Sequence, residues 1–82
     1  MNVTVLYFAA LRDVMGISEE SMTLPSDVRT AADFLRFLEG ERTALTGRLK
    51  SVRLARNEAF AALDEVLAAG DVLALIPPVA GG

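Results

Sequence analysis

The residues most able to do chemistry lie at the end of the chain, which reads Pro77-Pro78-Val79-Ala80-Gly81-Gly82. Two prolines set a stiff, extended exit, since neither continues a helix or donates to a strand ladder. Two terminal glycines carry no Cβ, so their backbone fits a passage too narrow for other residues. The handle is then the main-chain carboxyl of Gly82. An α-carboxyl titrates at roughly 3.3–3.7, so it is ionised at neutral pH and a poor electrophile. Activation, for instance as an acyl-adenylate, would make it reactive. A sulfur nucleophile displacing the nucleotide would then leave a thiocarboxylate, a soft nucleophile able to deliver sulfur.

The side chains offer much less. The chain has no cysteine and no histidine, which excludes disulfides, zinc-thiolate sites, thiol nucleophiles and the usual neutral-pH proton shuttle. Ser18, Ser21, Ser26 and Ser51 have no histidine to activate them. The carboxylate pairs Glu19-Glu20 and Asp64-Glu65 are chain neighbours, and neighbours diverge on a strand or a helix alike. They read as solvated surface charge. Arg42, Arg48, Lys50, Arg53 and Arg56 form a basic stretch holding five of the eight basic residues. It is either a docking patch for an acidic partner or a solvated face, and the solvated face is favoured.

These residues need a scaffold. A chain of 82 residues with 52% hydrophobic content makes one small domain with enough apolar material for a core. A net charge of −3 argues against nucleic acid as a partner. The longest uncharged stretches, Met1 to Leu11 and Val72 to Gly82, are too short to cross a bilayer. With no signal-peptide pattern, a cytoplasmic location and no membrane partner are expected.

Val3 to Phe8 is rich in β-branched and aromatic residues and reads as a central strand. Ala9 to Met15 suits a short helix with Gly16 as a left-handed stop, and Ser18 to Leu24 alternates like a strand. Thr30 with Asp33 marks a helix start, and Ala31, Phe34, Leu35 and Leu38 form an apolar stripe that Gly40 should end. Glu41 to Gly47 is ambiguous, with a short helix as one option. Val52 to Arg56 reads as a strand before a turn at Asn57-Glu58, and Ala59 to Ala69 fits either period. Val72 to Ile76 is a continuous apolar run, as in a buried strand. The expected class is α+β, a mixed sheet on one main helix, with residues 1–76 as the domain and 77–82 as an extended tail. The first and last strands should pair in the middle. The open sheet face should dock a partner, with Phe8, Phe60 and Leu75 as candidate contacts. Val79 to Gly82 is expected to become ordered only inside that partner.

Three stretches of this sequence resemble the small subunits of molybdopterin synthase, within the ubiquitin-like β-grasp group. They are Leu6-Tyr7-Phe8-Ala9-Ala10-Leu11-Arg12-Asp13 with Gly16, then Ala55-Arg56-Asn57-Glu58, and then Gly70-Asp71-Val72 through Ile76 to the proline pair and Gly81-Gly82. One departure is Ala80, where the family often has threonine. The resemblance implies that an E1-like adenylating enzyme uses ATP to activate Gly82, and that a sulfur donor converts it to a thiocarboxylate. Pro77, Pro78, Val79, Ala80 and Gly81 would enter the active site of a large subunit within a heterotetramer. Sulfur would pass there to cyclic pyranopterin monophosphate in molybdenum cofactor synthesis. The small subunit would bind no cofactor and would have no activity alone. Two related roles stay open: a sulfur carrier for the thiamine thiazole, and a ubiquitin-like modifier joined to lysines. A pure interaction module with an idle tail is a third reading.

Overall fold

The computed structural model describes residues 1–78. Five strands form one mixed sheet: β1 (Asn2–Tyr7), β2 (Glu19–Thr23), β3 (Arg53–Arg56), β4 (Ala59–Phe60) and β5 (Val72–Ile76). Two helices, α1 (Ala9–Met15) and α2 (Ala31–Glu41), and a 3₁₀ turn at Thr43–Leu45 complete the elements. The strand order is β2-β1-β5-β3-β4. As expected, the first and last strands are central neighbours, and they run parallel. The other pairs are antiparallel.

Alternation decides which side chains enter the core. On β1 Val3, Val5 and Tyr7 point in, and on β5 Leu73 and Leu75 do, each at most 3% exposed. From α2, Ala31, Phe34 and Leu38 meet them, all fully buried. Leu35, at the edge of the expected stripe, is half-buried and packs on the margin of this cluster.

The start of α2 is closed by a reciprocal cap. The Asp33 N–H donates to Thr30 Oγ1 at 3.1 Å, and the Thr30 N–H donates to Asp33 Oδ2 at 3.1 Å. Backbone donors from Arg29 and Thr30 hold the Asp33 carboxyl below the usual aspartate range. The expected stop at Gly40 is corrected: Gly40 lies inside α2, and the cap is Arg42, whose N–H donates to Leu38 O at 2.9 Å. Gly40 in a helix weakens it only modestly, while Arg42 is tied to β2 through Glu20, with Nη2 to Oε1 at 2.7 Å. That tertiary tie carries the helix two residues further, to Glu41.

Residues 61–69 follow neither period because their backbone serves α2. The Ala31 and Ala32 N–H groups, orphan donors of the first helical turn, donate to Glu65 O at 3.0 Å and Leu63 O at 2.9 Å. Leu67 inserts into the core from this segment, 5% exposed. No helix among the described residues is long and apolar enough to cross a membrane.

Candidate docking face and tail exit

Helix α2 covers one side of the sheet. On the other side, one row crosses four strands. Leu6 pairs with Ala74, Ala74 with Ala55, and Ala55 with Phe60. Large side chains therefore stand at both ends of the row and two alanines at its centre. This arrangement makes a hollow of about 670 Å³, whose walls also include Phe8, Val72 and Ile76. Phe8 is 44% exposed and Phe60 55%. Two open aromatics facing a concave apolar floor are what a docking surface needs. The Arg53 guanidinium lies 3.8 Å from the centroid of the Phe60 ring, a cation–π contact that restrains the ring.

Phe8 and Phe60 are thus on the expected face and line one hollow. Leu75 is not, and that expectation is corrected. It is fully buried with Val5, Tyr7 and Phe34 on the α2 side, because its parity matches Leu73 and opposes Ala74. The β5 contributors are Val72, Ala74 and Ile76. A signal was available in the run Val72-Leu73-Ala74-Leu75-Ile76. The two leucines share a parity, and so do the alanine and the two β-branched residues.

The rim of the hollow is set by the β3–β4 turn. Asn57 and Glu58 both adopt positive φ, 52° and 73°, the backbone of a tight hairpin turn. Asn57 is clasped to β5. Its N–H donates to Val72 O at 2.9 Å, its Oδ1 accepts from the Val72 N–H at 2.9 Å, and its Nδ2 donates to Asp71 Oδ1 at 2.9 Å. Asp71, 4% exposed, also accepts from Arg56 Nε at 2.6 Å and from the Ala68 N–H at 2.7 Å. Burial alone would raise the Asp71 carboxyl, but the bonds from Arg56, Ala68 and Asn57 outweigh it and hold it below the usual range. The turn and the start of β5 are therefore locked together. In the sequence Asp71 stands out only within the stretch Gly70-Asp71-Val72, and nothing local to that stretch announces this role.

The basic stretch does not act as one patch. Arg42 makes a two-pronged bond to Glu20, Arg56 pairs with Asp71 and with Glu65 at 3.2 Å, and Arg53 stacks on Phe60. Its members are spread over α2's end, β3 and the loop between. Glu20 is more than solvated charge. It accepts from the buried Tyr7 hydroxyl at 2.5 Å, and Arg42 first, then Tyr7, draw its pKa down against the opposing effect of burial.

The tail leaves from β5 beside the hollow. Arg53 pairs with Ile76 in register, and Pro77, half-buried, and Pro78, exposed, follow at once. The expected site residues Val79, Ala80, Gly81 and Gly82, and their ordering on a partner, lie outside the described residues. Among the described residues no cluster of three or more acidic, histidine or cysteine side chains could hold a metal ion.

Comparison with known proteins agrees with this architecture. The chain matches the ThiS family over residues 5–82. It is 34% identical to the molybdopterin synthase sulfur carrier subunit of Chlamydomonas reinhardtii, covering all of both chains. The crystal structure of SAMP1 from Haloferax volcanii superposes with a TM-score of 0.85 at 36% identity, again covering all of both chains. A chain in the complex of subunits 1 and 2 of the molybdopterin-converting factor from Helicobacter pylori is similar too. It has a TM-score of 0.71 at 26% identity, with 100% of each chain covered. With nearly the whole chain matched and a five-stranded sheet packed on one main helix, this protein belongs to the ThiS family and has its ubiquitin-like β-grasp fold.

Proposed function

We propose that this chain is the sulfur carrier of a molybdopterin synthase, with the Gly82 carboxyl as the sulfur-bearing group. One observation carries the reading: the strand that forms the floor of the apolar hollow runs directly into Pro77-Pro78 and the Gly81-Gly82 end. A docked partner would thus receive the tail at a fixed place. The 34% identity to a subunit named for sulfur carriage supports it, as does the absence of cysteine and histidine from the chain.

In this reading the Gly82 carboxylate attacks the α-phosphate of ATP on an E1-like adenylating enzyme and releases pyrophosphate. A sulfur donor supplies a sulfur nucleophile that displaces AMP, leaving the thiocarboxylate. The hollow docks on a large subunit, as the similarity to a subunit found in a complex suggests. The thiocarboxylate sulfur attacks a carbon of cyclic pyranopterin monophosphate and displaces the oxygen bound there, and water then cleaves the acyl–sulfur bond, which leaves the sulfur on the pterin and restores the carboxylate. No cofactor resides on the carrier, and ATP is consumed by the activating enzyme.

The test is the intact mass after incubation with ATP, an adenylating enzyme and a sulfur source. Exchange of one oxygen for sulfur, localised to Gly82, is expected. Deleting Gly82 draws the carboxyl back by about 3.3–3.6 Å, too far for a centre requiring approach to about 3–3.5 Å. Sulfur transfer should be abolished while the domain keeps its stability. Retained transfer in the shortened chain would remove Gly82 from the mechanism. The likeness to SAMP1, a small archaeal modifier protein, favours a second reading, in which the same activated carboxyl is joined to lysines. Higher-mass conjugates bearing Gly82 on target lysines, in place of the thiocarboxylate, would select it.

A further inference from the structure

Glu58 sits where its backbone does not suit it. Its φ of 73° lies in the left-handed region, which is disfavoured for any residue with a Cβ, and the second position of such a hairpin turn ordinarily takes glycine. Local structure does not explain the glutamate. Among the described residues its carboxylate takes part in no ion pair and accepts no hydrogen bond, while both polar atoms of the neighbouring Asn57 side chain are engaged in the clasp to β5. Glu58 is exposed at the rim, and among the described residues it is the one charged residue lining the hollow. A partner that covers the hollow strips water from this carboxylate. Docking without a matching cation leaves a partly buried, unpaired charge, which is unfavourable. Docking with one gains a charge-assisted contact and fixes the orientation of the complex.

We propose that Glu58 selects the docking partner by charge, taking a lysine or arginine side chain that the partner presents at the rim of the hollow. The proposal rests on the reading of the hollow as the large-subunit docking face. It assigns the partner a basic group beside an apolar surface complementary to Phe8 and Phe60. Acidic surfaces are thereby rejected, because like charges would meet at an edge that docking strips of water. The strained turn at Glu58 is then a local instability accepted for recognition.

The test measures thermal midpoint and association kinetics with a molybdopterin synthase large subunit for the unaltered chain and for Glu58→Gly, Glu58→Gln and Glu58→Lys. Asp27→Lys, an exposed acid remote from the hollow, controls for net charge. Glu58→Gly should raise the midpoint by a few degrees while weakening binding. Glu58→Gln should weaken binding with the midpoint unchanged. Glu58→Lys should slow association about tenfold at low salt, an effect that shrinks at high salt, while Asp27→Lys binds as the unaltered chain does. If the unaltered chain binds and all three Glu58 variants bind within twofold of it, the charge-selecting role is overturned and the docking reading stands. If the unaltered chain does not bind, the docking reading falls and the role of Glu58 falls with it.

Discussion

Arg56 Nε donates to Asp71 Oδ2 across 2.6 Å, joining the end of β3 to the residue just before β5. Asp71→Ala removes this bond and those to Asn57 and Ala68, and leaves Arg56 with Glu65 alone. Breaking one partner out of a mostly buried charged network costs about 2–4 kcal/mol when the other partner keeps a second acceptor. Urea unfolding should show the loss as a lower midpoint with an unchanged slope.

The same contact predicts a pH dependence. The folded-state pKa values of Asp71 and Glu20 both lie below their ordinary values. The unfolded chain therefore binds more protons in acid. Their contribution to stability is in place above the unfolded carboxylate range of about 4 and disappears as pH falls through the depressed folded values. Unfolding free energy measured in urea should decline steadily below about pH 4–5. In Asp71→Asn the decline should be shallower.

Tyr7 is the single tyrosine of the chain, so its phenol can be titrated by ultraviolet absorbance without interference. Burial first, and then the hydrogen bond to Glu20 and its charge, push the phenol above the ordinary tyrosine range. The stability this adds is complete below the unfolded value of about 10 and is lost as pH rises through the folded one. Phenolate should thus appear in alkali only as the domain unfolds. Tyr7→Phe should cost about 1 kcal/mol, because Glu20 keeps both contacts to Arg42.

Helix α2 offers a graded test of packing. Phe34→Ala, at a fully buried site, should cost about 3–5 kcal/mol. Leu35→Ala, at the half-buried margin, should cost about 1–2 kcal/mol, since part of its area stays wet in the folded state. Equal losses at the two positions would contradict the seating of α2 on the sheet.

The two sides of β5 should separate stability from docking. Leu75→Ala removes a fully buried side chain and should cost about 2–5 kcal/mol. Phe60→Ala, at a residue 55% exposed, should change the thermal midpoint little and weaken large-subunit binding at least tenfold, as loss of an aromatic anchor does. Calorimetric binding beside thermal melts reads both effects. Charge reversal at Arg48, which lines no part of the hollow, should leave binding intact.

Much of this protein was decided by local pattern. The run of apolar residues from Val72 to Ile76 marked β5 to the residue, because a buried strand needs continuous apolar character and prolines must end it. Thr30 and Asp33 marked the start of α2, because that cap acts within four residues. Gly16 closed α1 in the left-handed conformation expected for it. The lack of cysteine and histidine turned attention from side chains to the main-chain carboxyl of Gly82. Tertiary structure alone decided what depends on contacts between distant segments. Leu75 faces the core and Ala74 the hollow because β5 is inserted between β1 and β3 in one register; alternation along the run groups its residues by face, but with both groups apolar only the assembled sheet decides which face is the core. Residues 61–69 carry no period because their carbonyls cap a helix thirty residues earlier in the chain. The hollow arises from Leu6, Ala74, Ala55 and Phe60, which come from four strands and meet only when the sheet is assembled. Spacing along one segment cannot encode such a row, since each strand supplies one residue and pairing supplies the rest.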